Sequence, residues 1–438
     1  MKSKTLPFLA LLALSYGIKA QWISEASGFA NSYGINCLSI VNSNVVWASA
    51  VDTSGATSVN KYTRTLNGGT TWIPGNVTGA TALDISSIFG YNKDTAWVSM
   101  LDNNIGGGAI FRTNNGGTSW SKQTSATFSS PGGSTDFIYM FDKNIGVCVG
   151  DSNTGYWEIY STLNGGTNWT RVTTGNIPAN TIGEAGFENS YSVIGNTIWF
   201  GTSNGRVYKS INKGLTWTVA TTGLASVTRV AFKDANNGIA TDGLLLKKTT
   251  DGGNTWTTLT FTGNFYETDL KYVTGTTGTY ISVGSTALGA GFNGSSYSFD
   301  NGITWTNIDL LDHSSVAFLN SITGWSGSIN TSSTVGGMFK WTGTFTSIKN
   351  DDYIKGISIN AFPNPFTNQV TLSVNSENEV STNLSVEITD VLGNTVKKKS
   401  EFIGNEIKLD RGTLSNGIYF YKVYNSNTII GTGRLIAQ

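Results

Sequence analysis

Short apolar runs recur along the chain, and clusters of turn-forming residues interrupt them every few positions. SSIFGYN (86–92), FIYMFDK (137–143), TRVAFKD (228–234) and SVAFLNS (315–321) are examples. Short apolar runs bounded by turn residues suit strands, whereas an amphipathic helix needs apolar residues every three to four positions over a longer stretch. The pattern therefore predicts an all-β protein of many short strands. It also repeats on a longer scale. A second strand recurs seven times, centred at Trp47, Trp97, Cys148, Trp199, Ala240, Ser282 and Trp325, each just after an apolar strand of the first kind. A third strand follows, as in AIFRT (109–113), RVYKS (206–210) and LLKKT (245–249).

Six of the third strands run into one motif, Ser/Thr-x-Asn/Asp-x-Gly-x-x-Trp. The copies are TLNGGTTW (65–72), TNNGGTSW (113–120), TLNGGTNW (162–169), SINKGLTW (210–217), TTDGGNTW (249–256) and SFDNGITW (298–305). Their tryptophans stand 48, 49, 48, 39 and 49 residues apart. Each motif residue has a mechanical reason to be there. The Asn or Asp side chain bonds nearby backbone N–H groups, the Gly adopts positive φ, and the Trp pins the turn by burial. Three strands, this turn and a fourth strand beginning at the Trp make one blade of a β-propeller. A seventh unit lacks the motif: Gly337-Met338-Phe339-Lys340 matches a third strand, but Trp341 follows where Ser/Thr belongs. An orphan copy of the fourth strand, Gln21-Trp22-Ile23, stands at the other end of the repeat region. The two anomalies together predict a seven-bladed ring whose last blade takes its outer strand from around Trp22, leaving no open edge.

This motif resembles the Asp-box, or BNR repeat. Over about residues 22–346 the blades resemble propellers of the photosystem II assembly factor type and, more distantly, sortilin-like and sialidase propellers. The resemblance implies that Asn67, Trp72, Asn115, Trp120, Asn164, Trp169, Asn212, Trp217, Asp251, Trp256, Asp300 and Trp305 are structural residues on the outer rim, away from any site.

Beyond Ser347 the rhythm stops and charge rises, with 17 of the 56 Asp, Glu, Lys and Arg in residues 351–438. The strands ISINAF, QVTLSV, LSVEITD, NEIKLD, GIYFYKVY and TIIGTGRLI predict a small Ig-like β-sandwich. Four landmarks stand in order: Phe362-Pro363-Asn364-Pro365-Phe366, Asp390-Val391-Leu392-Gly393, Leu414-Ser415-Asn416-Gly417-Ile418-Tyr419-Phe420 and Gly433-Arg434-Leu435-Ile436. Together they resemble the type A C-terminal sorting domain of the type IX secretion system of Bacteroidetes. The resemblance implies Pro363, Asn364, Pro365, Asp390, Gly393, Asn416, Gly417 and Tyr419 as the sorting motif and the secretion machinery with its sortase as partners. It further implies crossing of the outer membrane, then release or attachment to surface lipopolysaccharide. At the N-terminus Lys2 and Lys4, an apolar run from Leu6 to Leu14 and Ile18-Lys19-Ala20 read as a cleavable signal peptide, too short to span a bilayer as a helix. The expected organisation is a signal peptide at 1–20, the propeller at 21–346, a linker at 347–356 and the sorting domain at 357–438.

Composition narrows the chemistry. The 28 Lys and Arg balance 28 Asp and Glu, so no basic surplus exists for phosphates and nucleic acid is not expected as a partner. One His and two Cys supply no metal-ligating pattern, and no nucleotide-binding motif occurs, so neither a metal nor a cofactor is expected. Cys37 and Cys148 fall on strands of non-adjacent blades and are expected to be buried free thiols.

Propeller ligands sit at the mouth of the central channel, on segments entering the innermost strands. Aligning the blades on Ile40, Phe89, Phe141, Phe232, Tyr272 and Phe318 and stepping back five positions selects Ile35, Asp84, Asp136, Val227, Glu267 and His313. Blade four aligns poorly but offers Glu184 and Glu188. Converging carboxylates with one imidazole suit a cation or amine, or general acid–base work. Tyr156, Trp157, Phe265 and Tyr266 lie in interblade or loop segments, and Trp157, which has no place in the repeat template, is the candidate for stacking on sugar rings. Sialidase chemistry needs clustered arginines for a substrate carboxylate. With Arg64 and Arg112 at the outer repeat position, Arg171, Arg206 and Arg229 remain; three could converge, but seven blades rather than six and the lack of a recognisable sialidase signature argue against it. The preferred function is a secreted or cell-surface, non-enzymatic module that binds glycan, lipopolysaccharide or an extracellular protein. One alternative is a glycoside hydrolase or lyase using Asp84, Asp136 and Glu267; the other is a periplasmic assembly factor.

Overall fold

The structure, a computed structural model, describes residues 21–29, 32–54, 58–151, 155–345, 357–376, 384–402, 404–425 and 428–438. The expected signal peptide and linker lie outside the described residues. The chain divides into two units, Met1–Thr346 and Ser347–Gln438.

Among the described residues seven four-stranded antiparallel blades succeed one another in the first unit; the last and first are bridged where Gly34 pairs with Ile329, and Thr262–Gly263 pairs parallel with the outer strand of the sixth. Their innermost strands are Tyr33–Ile40, Asp84–Gly90, Thr135–Met140, Gly186–Ile194, Arg229–Phe232, Asp269–Tyr272 and Ser315–Asn320. The second strands are the most buried: Ala96–Leu101 and Gly146–Gly150 have no exposed residue. Three of their tryptophans fasten one blade to the next, Trp47 Nε1 donating to the Asn92 carbonyl (2.9 Å), Trp97 Nε1 to Gly165 (3.3 Å) and Trp199 Nε1 to Gly252 (2.9 Å). A fully buried indole contributes both a large apolar area and a satisfied donor, which explains its recurrence at this position.

The last blade closes the ring as the two orphan motifs predict. Trp22–Ala26 pairs antiparallel with Val335–Trp341, with Trp22 opposite Trp341 and Ala26 opposite Gly337. The two tryptophan rings meet edge to face at 4.9 Å. A buried hydrogen-bond chain then ties the closing strand inward: Trp22 Nε1 donates to Ser295 Oγ (3.1 Å), Ser295 Oγ to Asp309 (2.9 Å), Asp309 faces His313 Nε2 (3.1 Å), and His313 Nδ1 meets Ser326 Oγ (2.8 Å).

All six repeated turns close alike. In the first, Thr65 Oγ1 accepts from Gly69 N (2.8 Å) and Asn67 Oδ1 from Thr71 N (3.0 Å); in the last, Ser298 Oγ accepts from Gly302 N (2.8 Å) and Asp300 Oδ1 from Thr304 N (2.9 Å). The glycine common to all six copies, Gly69 in the first at φ 96°, sits where a side chain would be strained. Cys37 and Cys148 are buried and unbonded, as expected.

The second unit is a sandwich. A three-stranded sheet (Ile357–Phe362, Gln369–Ser376, Glu406–Asp410) faces a four-stranded one (Thr395–Phe402, Leu384–Thr389, Gly417–Asn425, Thr428–Ala437) around Val370, Leu372, Val386, Val423 and Leu435. Its landmark residues hold turns and the final strand. Asn364 Nδ2 donates to the Arg434 carbonyl (2.7 Å) and its Oδ1 accepts from Ile436 N (2.8 Å). Asp390 accepts from Leu392 N and Asn394 N, with Gly393 at φ 86° between them. Arg411 binds Asn416, and the Tyr419 hydroxyl donates to the Ser415 carbonyl (2.9 Å).

Candidate functional site

The innermost strands line the bore, and in blades 1 to 4 each is bulged. Ile35 pairs with Ala50 and Cys37 with Ser49, leaving Asn36 over; Ser86 and Asp136 are left over in the same way in blades 2 and 3. A bulge re-aims side chains that a regular strand would keep on one face. Blade 4 carries the largest, with residues 187–190 looped out between Gly186 and Tyr191. This loop reaches across the bore. Glu188 Oε2 accepts from Asn36 Nδ2 of blade 1 (2.8 Å), and Asn189 Nδ2 donates to the Ser86 carbonyl of blade 2 (3.0 Å).

Two cavities share Asn36 at this crossing. One, of about 310 Å³, is walled by residues such as Leu38, Tyr139, Tyr191, Lys271 and Phe318. The other, of about 270 Å³, holds Asp84, Asn103 and Glu188. Glu188 is wetted within the bore yet surrounded by protein, and this burial, with the Asp84 charge nearby, pushes its carboxyl up to about 7 against the bond from Asn36.

Beneath the loop, Asp136 and Asp151 converge on Gly186. Asp151 Oδ1 accepts from Gly186 N (2.6 Å), while Asp136 Oδ2 lies so close to Gly186 that a Cβ there would collide with it. Asp136 is 4% exposed and its Oδ2 has no hydrogen-bond partner. Burial first, then the charges of Asp151 and Glu188, raise its carboxyl well above the ordinary range; burial raises Asp151 to about 6.

The remaining candidates separate. Asp84 ties blade 2 to blade 1, accepting from Val59 N and from Asn103 Nδ2 (2.7 Å). Glu267 lies outside the two cavities, accepting from Gly291 N (2.5 Å) with Oε2 3.0 Å from a Cβ position on Gly243. His313 is a correction: it is wholly buried in the closing seam, between Trp22 and Phe339, and faces no ligand. Its chain with Asp309 and Ser326 has triad membership, but Ser326 is equally buried and no substrate reaches it. Trp157 is a second correction, a fully buried core residue packed edge to face on Phe200 (5.1 Å) and Tyr208 (5.3 Å). Tyr266 is buried too, its hydroxyl donating to Asn307. Glu184 pairs with Arg206, Glu158 with Arg171 (3.5 Å) and Asp269 with Arg229 (3.4 Å), so these three arginines are distributed among three carboxylates. Among the described residues no group of three or more His, Cys, Asp or Glu is arranged to hold a metal ion.

Sequence reasoning missed Asn36, Asn189 and the span of Glu188, because stepping back a fixed count assumes unbulged strands. A signal existed: the blade that aligned poorly has a first strand of nine residues, against four to eight elsewhere.

Ring and sandwich together define an all-β chain in which a seven-bladed β-propeller precedes a small β-sandwich. Residues 360–438 match the family described as Secretion system C-terminal sorting domain, so the chain carries a sorting domain for secretion. No curated protein matches by sequence. Among solved structures, YCF48 from Cyanidioschyzon merolae aligns at a TM-score of 0.53 and 18% identity, covering 74% of this chain and 99% of that one. YCF48 bound to D1 peptide aligns at 0.51 and 16%, covering 74% and 97%. A xyloglucanase from Xanthomonas campestris aligns at 0.47 and 10%, covering 81% and 59%. The YCF48 likenesses are of fold.

Proposed function

We propose that this protein is a propeller exported by the type IX secretion system through its C-terminal domain, secreted or held on the cell surface, where it works as a non-enzymatic module binding a glycan or a protein. The observation that carries the reading is the use of the candidate carboxylates. Asp84 and Glu267 brace segments of neighbouring blades, and Asp136 is sealed under Gly186. Glycoside hydrolysis needs two carboxyl groups facing each other across a cleft about 5–9.5 Å wide, and these three residues occupy separate places. The sorting-domain match over 360–438 supports export, with the secretion machinery and its sortase as partners. A propeller of this fold described with a bound peptide makes a polypeptide a partner class to set beside glycans.

A hydrolase reading keeps one observation in its favour: Asp84 and Glu188 share a cavity, and Glu188 titrates near 7, as a general acid does. One assay separates the two. The purified chain is screened on a glycan and polysaccharide panel and on extracellular protein, scoring retained protein and released reducing sugar in the same wells. Retention without release is the expected result. Release that disappears in Glu188→Gln would establish the hydrolase instead.

A further inference from the structure

Antiparallel pairing sends the segments joining second to third strands, and those passing between blades, to one face of the ring; the repeated motifs emerge on the other. The two faces differ in charge. The segments of the first face hold seven acidic residues and neither lysine nor arginine; Glu158 and Glu184 are buried and paired with Arg171 and Arg206 of the adjoining strands, which leaves Asp102, Asp151, Asp242, Glu267 and Asp312. The opposite face is mixed: its turns and motifs bear Lys93, Lys143, Lys213 and Lys233 beside Asp94, Asp142, Asp234, Asp251 and Asp300, with Lys93 paired to Asp94 and Lys213 to Asp142.

The acidic face is also apolar over blades 5 to 7. Leu244 is 76% exposed, Leu245 53%, Phe292 78%, Leu310 70% and Leu311 47%. Single exposed leucines are ordinary, but here five large apolar side chains stand on three of the four successive segments 242–245, 260–268, 285–293 and 310–314 of one face. The segments are held together by carboxylates. Glu267 lies between Gly243, which precedes Leu244, and Gly291, which precedes Phe292. Asp312, next to Leu311, accepts from Ser285 Oγ (2.6 Å) and Ser328 Oγ (3.2 Å).

We infer that this patch, Leu244, Leu245, Glu267, Phe292, Leu310 and Leu311, is the docking surface for a cationic, apolar segment of a partner polypeptide. The inference rests on the binding-module reading and narrows it from glycan or protein to protein. Leucines and a phenylalanine bury the partner's apolar side chains, while Glu267 and Asp312 fix its lysines or arginines. Anionic polysaccharide is repelled by the same charges.

The test is fluorescence anisotropy of the full chain with a labelled synthetic peptide of alternating lysine and leucine, and with its glutamate–leucine counterpart. The lysine–leucine peptide is expected to bind with a Kd on the order of 10 μM that weakens as salt rises, and the glutamate peptide to bind at least about tenfold more weakly. Phe292→Ser and Leu244→Ser should each weaken binding about tenfold, a hot-spot loss, and Glu267→Gln about threefold. Leu163→Ser, 67% exposed in a motif on the other face, should leave it unchanged. Absence of lysine–leucine binding, equal binding of both peptides, or indifference to the patch variants would overturn the proposal. Concentration-dependent doubling of mass, abolished by Phe292→Ser, would overturn it in favour of a second copy of this chain. Sugar release in the panel assay would sink the binding-module reading by itself, so the two failures are distinguishable.

Discussion

The two faces of the ring are made by opposite rules. On the motif face each turn satisfies its own backbone, with the same donor and acceptor positions repeated from Thr65 to Ser298. Toward the other face and in the bore the repeat weakens: the one-residue bulge of blades 1 to 3 grows to four residues in blade 4, a buried carboxyl oxygen on Asp136 has no partner, and the exposed Leu244, Phe292 and Leu310 hold no repeated position, although exposed apolar side chains such as Leu163 occur in the motifs too. The carboxylates register the same contrast. Hydrogen bonds from Thr255 hold Asp251 at about 2, and despite partial burial the bonds from Thr304 and Ser298 hold Asp300 below the ordinary range. In the bore Glu188 and Asp151 are pushed the other way. The self-satisfied face builds the ring; the unsatisfied one has binding capacity to spare.

The sharpest way to break this comparison is at the seam. Trp22→Ala should cost about 3–5 kcal/mol by chemical denaturation, since the indole is buried against Trp341 and anchors the hydrogen-bond chain through Ser295. A loss below about 1 kcal/mol would mean that closure does not hold the ring.

Gly186→Ala probes the bore. The new methyl meets Asp136 Oδ2, and the expected loss is about 1–3 kcal/mol. The same change made on an Asp136→Gly background should cost much less, a coupling that a double-mutant cycle reads directly.

The pH profile follows from the opposed carboxylates. Glu188, and Glu25 of the closing strand, where burial outweighs the bond it accepts from Trp72 Nε1, both near 7, and Asp151, near 6, keep protons in the folded chain after the unfolded chain has lost theirs. Stability therefore falls as pH rises from the ordinary carboxyl range through about 7. Asp251 and Asp300 act in reverse, stabilising above the ordinary range and losing that contribution as pH falls toward 2. Melting temperatures should peak near pH 4, in the ordinary carboxyl range, and a higher value at pH 8 would contradict the bore assignment.

Removing one motif carboxylate, Asp300→Ala, should cost about 1 kcal/mol, measured by thermal melts, because the turn loses bonds to Ile303, Thr304 and Ser298 but water reaches the site. The smallest effect belongs to the loop face: Phe292→Ser should change stability by less than about 0.5 kcal/mol while reducing peptide binding.

The same contrast explains what the sequence disclosed. Seven blades and the closing strand at Trp22 were legible because each copy solves the same mechanical problem with the same residue types at the same spacing. The bore was not, since the bulges at Asn36, Ser86 and Asp136 recur at the repeat period but on unlike residues, and Glu188 meets Asn36 from 152 positions away. His313 and Trp157 misled for a related reason. Counting back five positions cannot distinguish a side chain entering the channel from one packed in a seam, and an aromatic outside the template is still core when its neighbours are Phe200 and Tyr208. The acidic, lysine-free character of one face was present in the sequence but became visible only once the strand order sorted the segments by face.

Hydrogen exchange of the full chain with and without saturating lysine–leucine peptide tests the central claim most directly, that the irregular face binds and the repeated face only builds. The account predicts new protection in segments 242–245, 264–268, 285–293 and 310–314, with the six motifs unchanged. Protection concentrated in the motifs, with those four segments exchanging as before, would contradict it.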